Sequence, residues 1–183
     1  MRGSTMKRPD VLSLESVFEE PVAFEARLEV PLSAIDREPL LTLSPLALTG
    51  EVRRIEGGYA MDATIAYSGE LECSRCLDAY PFQEEEPFSL LLYPSSRRPT
   101  EEVELSAGDL DVLYFDEPVV ALSPIAEERV QMALPMKPLC RPDCRGLCPG
   151  CGKDLNSMDG PCSCARETAD PRWDALKALR EKA

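Results

Sequence analysis

Eight cysteines in a chain of 183 residues that has no histidine constrain this protein more than any other feature. They fall into four short-spaced pairs: Cys73 with Cys76, Cys140 with Cys144, Cys148 with Cys151, and Cys162 with Cys164. Thiols this close in sequence act as disulfide staples, redox centres or metal ligands. Disulfide frameworks belong to oxidising compartments. Here the opening "MRGSTMKRPDVLSLESVF" lacks the apolar run of a signal peptide, and no segment reaches the roughly 20 apolar residues of a membrane span. A cytosolic protein is expected, in a reducing thiol pool that disfavours permanent disulfides. A redox C-x-x-C sits at a helix start beside a βαβ unit, whereas "CSRC" lies between strand-like segments and "CPGCG" lies among glycines and prolines. Metal binding is the remaining reading.

A tetrahedral zinc site takes four ligands, and pairs separated by one to three residues let neighbouring sulfurs reach one ion. Eight sulfurs make two such sites, so two zinc ions are expected. "CPGCG" followed by "CSC" closes locally, which favours Cys148, Cys151, Cys162 and Cys164 around one ion and Cys73, Cys76, Cys140 and Cys144 around the other. The rival grouping puts Cys140, Cys144, Cys148 and Cys151 on one ion and leaves Cys73 and Cys76 to find Cys162 and Cys164. Four-sulfur iron is the lesser alternative on ligand grounds. Sites closed by four cysteines are structural and leave no position open for substrate.

The strand signals are period-two alternations. In "VAFEARLEV", Val22, Phe24, Ala26, Leu28 and Val30 share a face. "LALTGEVRRI" and "YAMDATIAYS" flank Gly57 and Gly58 as a hairpin, and "GELEC" and "YPFQEEEPFSLLLY" form a second hairpin with "CSRC" at its tip. The polar stretch at 94–111 reads as a mobile loop, and "VLYFD" resumes a strand. "LSPIAEERVQMALP" predicts a helix near 124–133, with Ser123 as N-cap, Pro124 in the first turn, Glu127 and Glu128 toward the positive dipole end, and Leu122, Ala126, Val130 and Leu134 as its apolar stripe. Near the C-terminus Asp170 and Pro171 start a short helix with Trp173, Leu176 and Leu179 on one side. So short a helix is marginal alone and must dock, which makes Trp173 the candidate anchor, either on its own domain or on a partner. No repeat of solenoid length is present. The expected fold is α+β and mainly antiparallel: a sheet or partly open barrel with a packed helix, then a zinc-ribbon-like module and a short terminal helix. The expected organisation is a leader at 1–5, an acidic β domain over 6–136 and a cysteine-rich module over 137–183.

Charge divides along the same line. Residues 137–183 hold nine basic and seven acidic side chains, while residues 1–136 hold 11 basic and 26 acidic ones, a balance of −15. Such a body repels phosphate backbones, because nucleic-acid affinity rests on cations displacing counterions. Direct RNA contact is therefore expected near the cysteine module, at Lys137, Arg141, Arg145 and Lys153, unless these only offset nearby carboxylates. Enzyme chemistry has no foothold: there is no Cys-His or Ser-His pair and no glycine-rich phosphate loop, and the "EEE" at 84–86 reads as a solvated face.

Three segments in order, "LECSRCLDAYPF", "ALPMKPLCRPDCRGLCPGCGKDLN" and "DPRWDALKALREK", resemble the YceD family of bacteria and plastids. The resemblance covers roughly residues 22–182, and the second segment is the most specific. It places the family's middle C-x-x-C on Cys73 and Cys76, its post-helix motif on Cys140 and Cys144, and its "GLCPxCGxxLN" on Cys148 and Cys151. It implies a non-enzymatic ribosome biogenesis factor needed for accumulation or processing of large-subunit (23S) ribosomal RNA. The expected partner is that RNA or a pre-ribosomal particle, with a basic ribosomal protein suited to the acidic body; no membrane and no small-molecule substrate are expected. The alternative is a zinc-dependent adaptor or redox-sensitive holdase unrelated to ribosomes.

Overall fold

The alternating stretch that begins at Val22 becomes a strand, which ends at Leu28, short of Val30. The computed structural model describes residues 10–99, 111–160 and 162–164. Its strands are β1 (Val11–Ser13), β2 (Val22–Leu28), β3 (Leu40–Leu43), β4 (Leu46–Ile55), β5 (Gly58–Glu72), β6 (Ala79–Pro94), β7 (Val112–Phe115) and β8 (Val119–Ala121), followed by one α-helix, α1 (Leu122–Ala133). On β2, Phe24, Ala26 and Leu28 are buried while Glu25 and Arg27 are exposed, as a period of two dictates. β4 and β5 form the expected hairpin, with Ile55 opposite Gly58 and the turn at Glu56 and Gly57.

The larger sheet runs β2-β4-β5-β6-β7. Its spine is β5, because "YAMDATIAYS" and "GELEC" are one continuous strand of 15 residues rather than the two expected. One edge of β5 pairs with β4 as far as Ala66 and then with β3 from Gly69 to Leu71; the other edge pairs with β6 along its length. β3 takes over where β4 leaves, so the backbone stays paired and no turn intervenes. β7 joins β6 in parallel, with Leu91 opposite Val112, and β1 and β8 make a separate two-stranded antiparallel sheet. The fold is α+β: among the described residues, mostly antiparallel strands in open sheets with one α-helix.

The helix begins one residue before the expected cap. Ala121, not Ser123, takes the N-cap position and offers no side-chain acceptor; the Leu122 N–H instead donates to the Asp10 carbonyl at 2.8 Å. A tertiary contact thus replaces the local cap. Pro124 still falls in the first turn, where amides lack intrahelical partners, while Glu127 and Glu128 fall beyond it. The expected stripe of Leu122, Ala126, Val130 and Leu134 is buried, joined by Ile125. It shares one core with Leu46, Leu48, Val52, Met61, Ile65 and Leu92 of the sheet. At the far end Arg37 donates from Nε and Nη2 to the Gln131 carbonyl at 3.2 and 3.1 Å, satisfying an acceptor in the last turn.

Of the acidic run on β6, Glu84 and Glu85 are exposed as expected, whereas Glu86 is half-buried. The phenol of Tyr67, opposite Glu84 in the ladder, is pushed up to about 12, by burial first and then by Glu84 and Glu86. No helix among the described residues is long and apolar enough to cross a membrane. The expected leader, the terminal helix with Trp173, Leu176 and Leu179, and most of the stretch read as a loop lie outside the described residues. The start of that stretch continues β6 to Pro94 and then makes a 3-10 turn at Ser95–Arg97.

Candidate metal centre

The β5–β6 hairpin ends in a tight knuckle. The Cys73 N–H donates to the Asp78 carbonyl at 3.0 Å and the Leu77 N–H to the Cys73 carbonyl at 2.9 Å. These bonds turn Cys73 and Cys76 toward the same side. The Ser74 N–H then donates to the Pro138 carbonyl at 2.8 Å, stitching the tip to the chain that leaves α1. Arg75 Nη1 donates to the Cys144 carbonyl at 2.7 Å, which brings the second pair into place. The result is one cluster of Cys73, Cys76, Cys140 and Cys144, in which all but the half-buried Cys140 are buried and against which Tyr80 and Leu139 pack.

The second knuckle repeats the first. The Gly152 N–H donates to the Cys148 carbonyl at 2.8 Å, the Cys148 N–H donates to the Lys153 carbonyl at 2.8 Å, and Leu147 bridges Asp154. The residue after the second cysteine is left-handed in both knuckles, with φ +70° at Gly152 and φ 64° at Leu77. Glycine adopts that conformation freely, whereas leucine does so at a penalty of roughly 1 kcal/mol or more. Leu77 is 56% exposed and has little burial to lose. Leu77→Gly is therefore expected to stabilise the protein by about 0.5–1 kcal/mol, read as a higher denaturant midpoint; a lower midpoint would mean that leucine contacts outweigh the strain. Around the second knuckle Cys148, Cys151, Cys162 and Cys164 gather, with Cys148 buried, Cys151 exposed and the other two half-buried.

These are the two groups that the spacing favours over the rival grouping. The sulfur atoms within each group lie within 4.8 Å of one another. Cys73 to Cys144 and Cys76 to Cys140 are both 3.7 Å; Cys148 to Cys164 is 3.3 Å and Cys151 to Cys162 is 3.4 Å. A disulfide bond is about 2.05 Å, while four sulfurs placed tetrahedrally at about 2.3 Å from one ion stand about 3.8 Å apart. The donor set fits a metal ion in each group, and all four corners are sulfur.

Electrostatics agree with that fit. Burial would raise the Cys73 thiol, but hydrogen bonds from the Cys140, Cys76 and Arg75 backbone amides and from the Cys76 thiol bring it down to about 6. Backbone amides of Gly150 and Cys151 and the Cys164 thiol bring Cys148 down to about 6 as well. Their neighbours move the other way. Cys140 is raised by burial, and Cys76 is raised although the Asp78 amide opposes it, through burial and the thiols around it. Cys164 is pushed up to about 12 by Cys148, Cys162 and Cys151. Amide donors thus favour the thiolate form at Cys73 and Cys148, the form in which a cysteine binds metal.

Of the four candidate RNA-binding cations, two are engaged within the fold. Arg145 donates from Nη1 to the Met158 carbonyl at 2.7 Å and from Nη2 to the Gly160 carbonyl at 2.8 Å, bracing the segment that leads to Cys162. Arg141 donates from Nη2 to Asn156 Oδ1 at 2.9 Å and pairs with Asp143 at 3.5 Å. Lys137 and Lys153 are exposed, and their side-chain amines have no hydrogen-bond or ion-pair partner among the described residues. Trp173 lies outside those residues. Sequence reasoning missed Arg75 and Asn156. Asn156 had a local signal, because Asp154 two residues earlier accepts its N–H at 2.9 Å, the Asx-turn pattern. Arg75 had none, since its acceptor lies 69 positions away.

Residues 61–180 match the family described as large ribosomal RNA subunit accumulation protein YceD. An uncharacterized protein of Mycobacterium tuberculosis and one of Mycobacterium bovis are each 33% identical over 154 residues, spanning 82% of this chain and 67% of theirs. An uncharacterized protein of Mycobacterium leprae is 27% identical over 134 residues, spanning 73% of this chain and 58% of its own. No solved structure matches.

Proposed function

Since the chain belongs to the YceD family, we propose that it is a non-enzymatic factor of ribosome biogenesis, acting in the cytosol to support accumulation or processing of large-subunit (23S) ribosomal RNA. Zinc is the metal proposed for both cysteine groups: Cys73, Cys76, Cys140 and Cys144 hold one ion, and Cys148, Cys151, Cys162 and Cys164 hold the other. Zinc supplies folding energy there, not a Lewis acid for substrate, because four thiolates leave no open position. The observation that carries the reading is the family match, which spans the hairpin-tip cysteines, the post-helix pair and the second knuckle. Lys137 and Lys153, exposed and with no side-chain partner among the described residues, are the residues proposed to meet RNA phosphates, with Arg141 beside them. The acidic β domain is proposed to hold a basic ribosomal protein.

Removing the protein from cells is expected to lower large-subunit ribosomal RNA several-fold while small-subunit RNA is spared, with precursor and mature species resolved by electrophoresis. Unchanged species under several growth conditions would sink the reading. Exposure of Cys151 and half-exposure of Cys162 and Cys164 favour a second reading, a redox-sensitive adaptor or holdase, because these sulfurs are open to oxidants. Oxidant-driven zinc release with a gain of client binding would support it.

A further inference from the structure

Building on the metal-holding role proposed above, we infer that Asn156, carried by the second cysteine loop, positions a sulfur of the first group, so that the two metal sites bind as a coupled pair. Asn156 lies between Cys151 and Cys162 in sequence, yet its Nδ2 is 3.5 Å from Cys144 Sγ, a ligand of the other group. The orientation of this amide is dictated by its partners. Oδ1 accepts from the Arg145 backbone N–H at 2.7 Å and from Arg141 Nη2 at 2.9 Å, and both are obligate donors. Nδ2 therefore faces the sulfur on one side and Asp154 Oδ1, at 2.8 Å, on the other. An amide nitrogen only donates, so Cys144 Sγ is the acceptor, as a metal-bound thiolate would be.

What holds Asn156 there is the second loop. The Leu155 N–H donates to the Gly146 carbonyl at 2.8 Å, and Leu147 bridges Asp154 beside the Cys148 knuckle. The first group grips the same segment from its own side: the Arg75 carbonyl accepts the Leu147 N–H at 3.0 Å while the Arg75 guanidinium holds Cys144. Gly146 passes between the two groups at φ +71°, and a Cβ there would sit 2.8 Å from the Arg75 carbonyl oxygen, so only glycine fits this approach. Filling the second site fixes the loop, the loop fixes Asn156, and Asn156 orients Cys144 for the first site. Coupling of this kind is reciprocal, since each site then raises the other's affinity by the same factor. Outer hydrogen bonds to metal ligands typically carry 10- to 100-fold in affinity.

The test is competitive titration of the full metal-free chain with zinc against a chromophoric chelator, with cadmium-113 resonances assigned to each site by Cys76→Ser and Cys151→Ser variants. Asn156→Ala is expected to weaken the first site by roughly 10- to 100-fold, to move its cadmium resonance, and to leave the intrinsic affinity of the second site nearly unchanged. Asn156→Asp, which sets a carboxylate against the thiolate, is expected to weaken it further. Replacing both Cys148 and Cys151 by serine is expected to weaken the first site by a similar factor when Asn156 is present and by little in the Asn156→Ala background. Equal first-site affinity in wild type, Asn156→Ala and the Cys148, Cys151 double variant would overturn the coupling while leaving the metal-holding role intact. Failure of the wild-type chain to bind metal would overturn both.

Discussion

Stripping the metal from the loaded protein with excess chelator is expected to unfold the cysteine module and leave the β domain standing. The described residues beyond α1 contain no helix and no strand, only an isolated bridge from Leu147 to Asp154. Few apolar side chains are buried there to replace a metal, and the shape of the segment rests on the two knuckles and on Arg75, Arg145 and Asn156. Structural zinc in comparable small sites is worth about 10–16 kcal/mol, as much as the whole stability of an ordinary domain, about 5–15 kcal/mol. The β domain has its own core, from Leu28 through Ile65 and Leu92 to Val130, which does not depend on the cysteines. Hydrogen exchange should show protection lost at the Cys148, Gly152 and Leu155 amides and kept along β4 and β5. Protection retained in both regions after complete removal of metal would show that packing, not coordination, holds the module. Acidification is expected to act in the same direction as the chelator, because each cysteine binds metal as a thiolate and protons compete for the sulfur.

Ile65→Ala is expected to strike the other half of the molecule. Ile65 is fully buried on β5, opposite Leu48 of β4 on one side and Glu86 of β6 on the other, in the core that also takes the apolar face of α1. Truncation removes three carbons from a site flanked by paired strands that cannot close up, so both transfer and cavity terms apply and the loss is about 2–5 kcal/mol. For a chain of this size that corresponds to a fall in Tm of roughly 10 °C. Ile65→Val, which removes one methyl, is expected to cost about 0.5–1.5 kcal/mol. Folded Ile65→Ala protein at low temperature should still bind two equivalents of zinc, since neither group of cysteines touches this part of the core. A loss below 1 kcal/mol would mean that the sheet and helix relax into the space.

Local periodicity carried much of the fold into view. The face split of β2, the hairpin around Gly57, the apolar stripe of α1 and the knuckle at 73–76 all follow from side chains within a few residues of one another. Their burial depends on period and turn chemistry, which a short window of sequence contains. The spacing of the four cysteine pairs likewise pointed to the two groups of four that could hold a metal, because short-spaced soft sulfur ligands converge readily.

Pairing between distant strands was not legible. The length of β5 was hidden because Ser68 and Gly69 look like a break, and only the arrival of β3 at that edge keeps the strand extended. β7 runs parallel to β6, and β1 finds β8 across more than a hundred residues. The cap of α1 comes from Asp10 and not from the adjacent Ser123. The charge of Arg141 and Arg145 is legible in the sequence and their partners are not: in the folded chain Arg145 braces backbone carbonyls near Cys162, and Arg141 and Asn156 lock each other beside Cys144. The sequence by itself determined which residues seek the interior, where the chain turns and which atoms seek a metal, since these are properties of single side chains and their near neighbours. The tertiary structure alone decided which strand edges meet, which polar groups are consumed in holding the module and which cations stay open to solvent, because each hydrogen bond is settled by whatever partner the folded chain brings within about 3 Å.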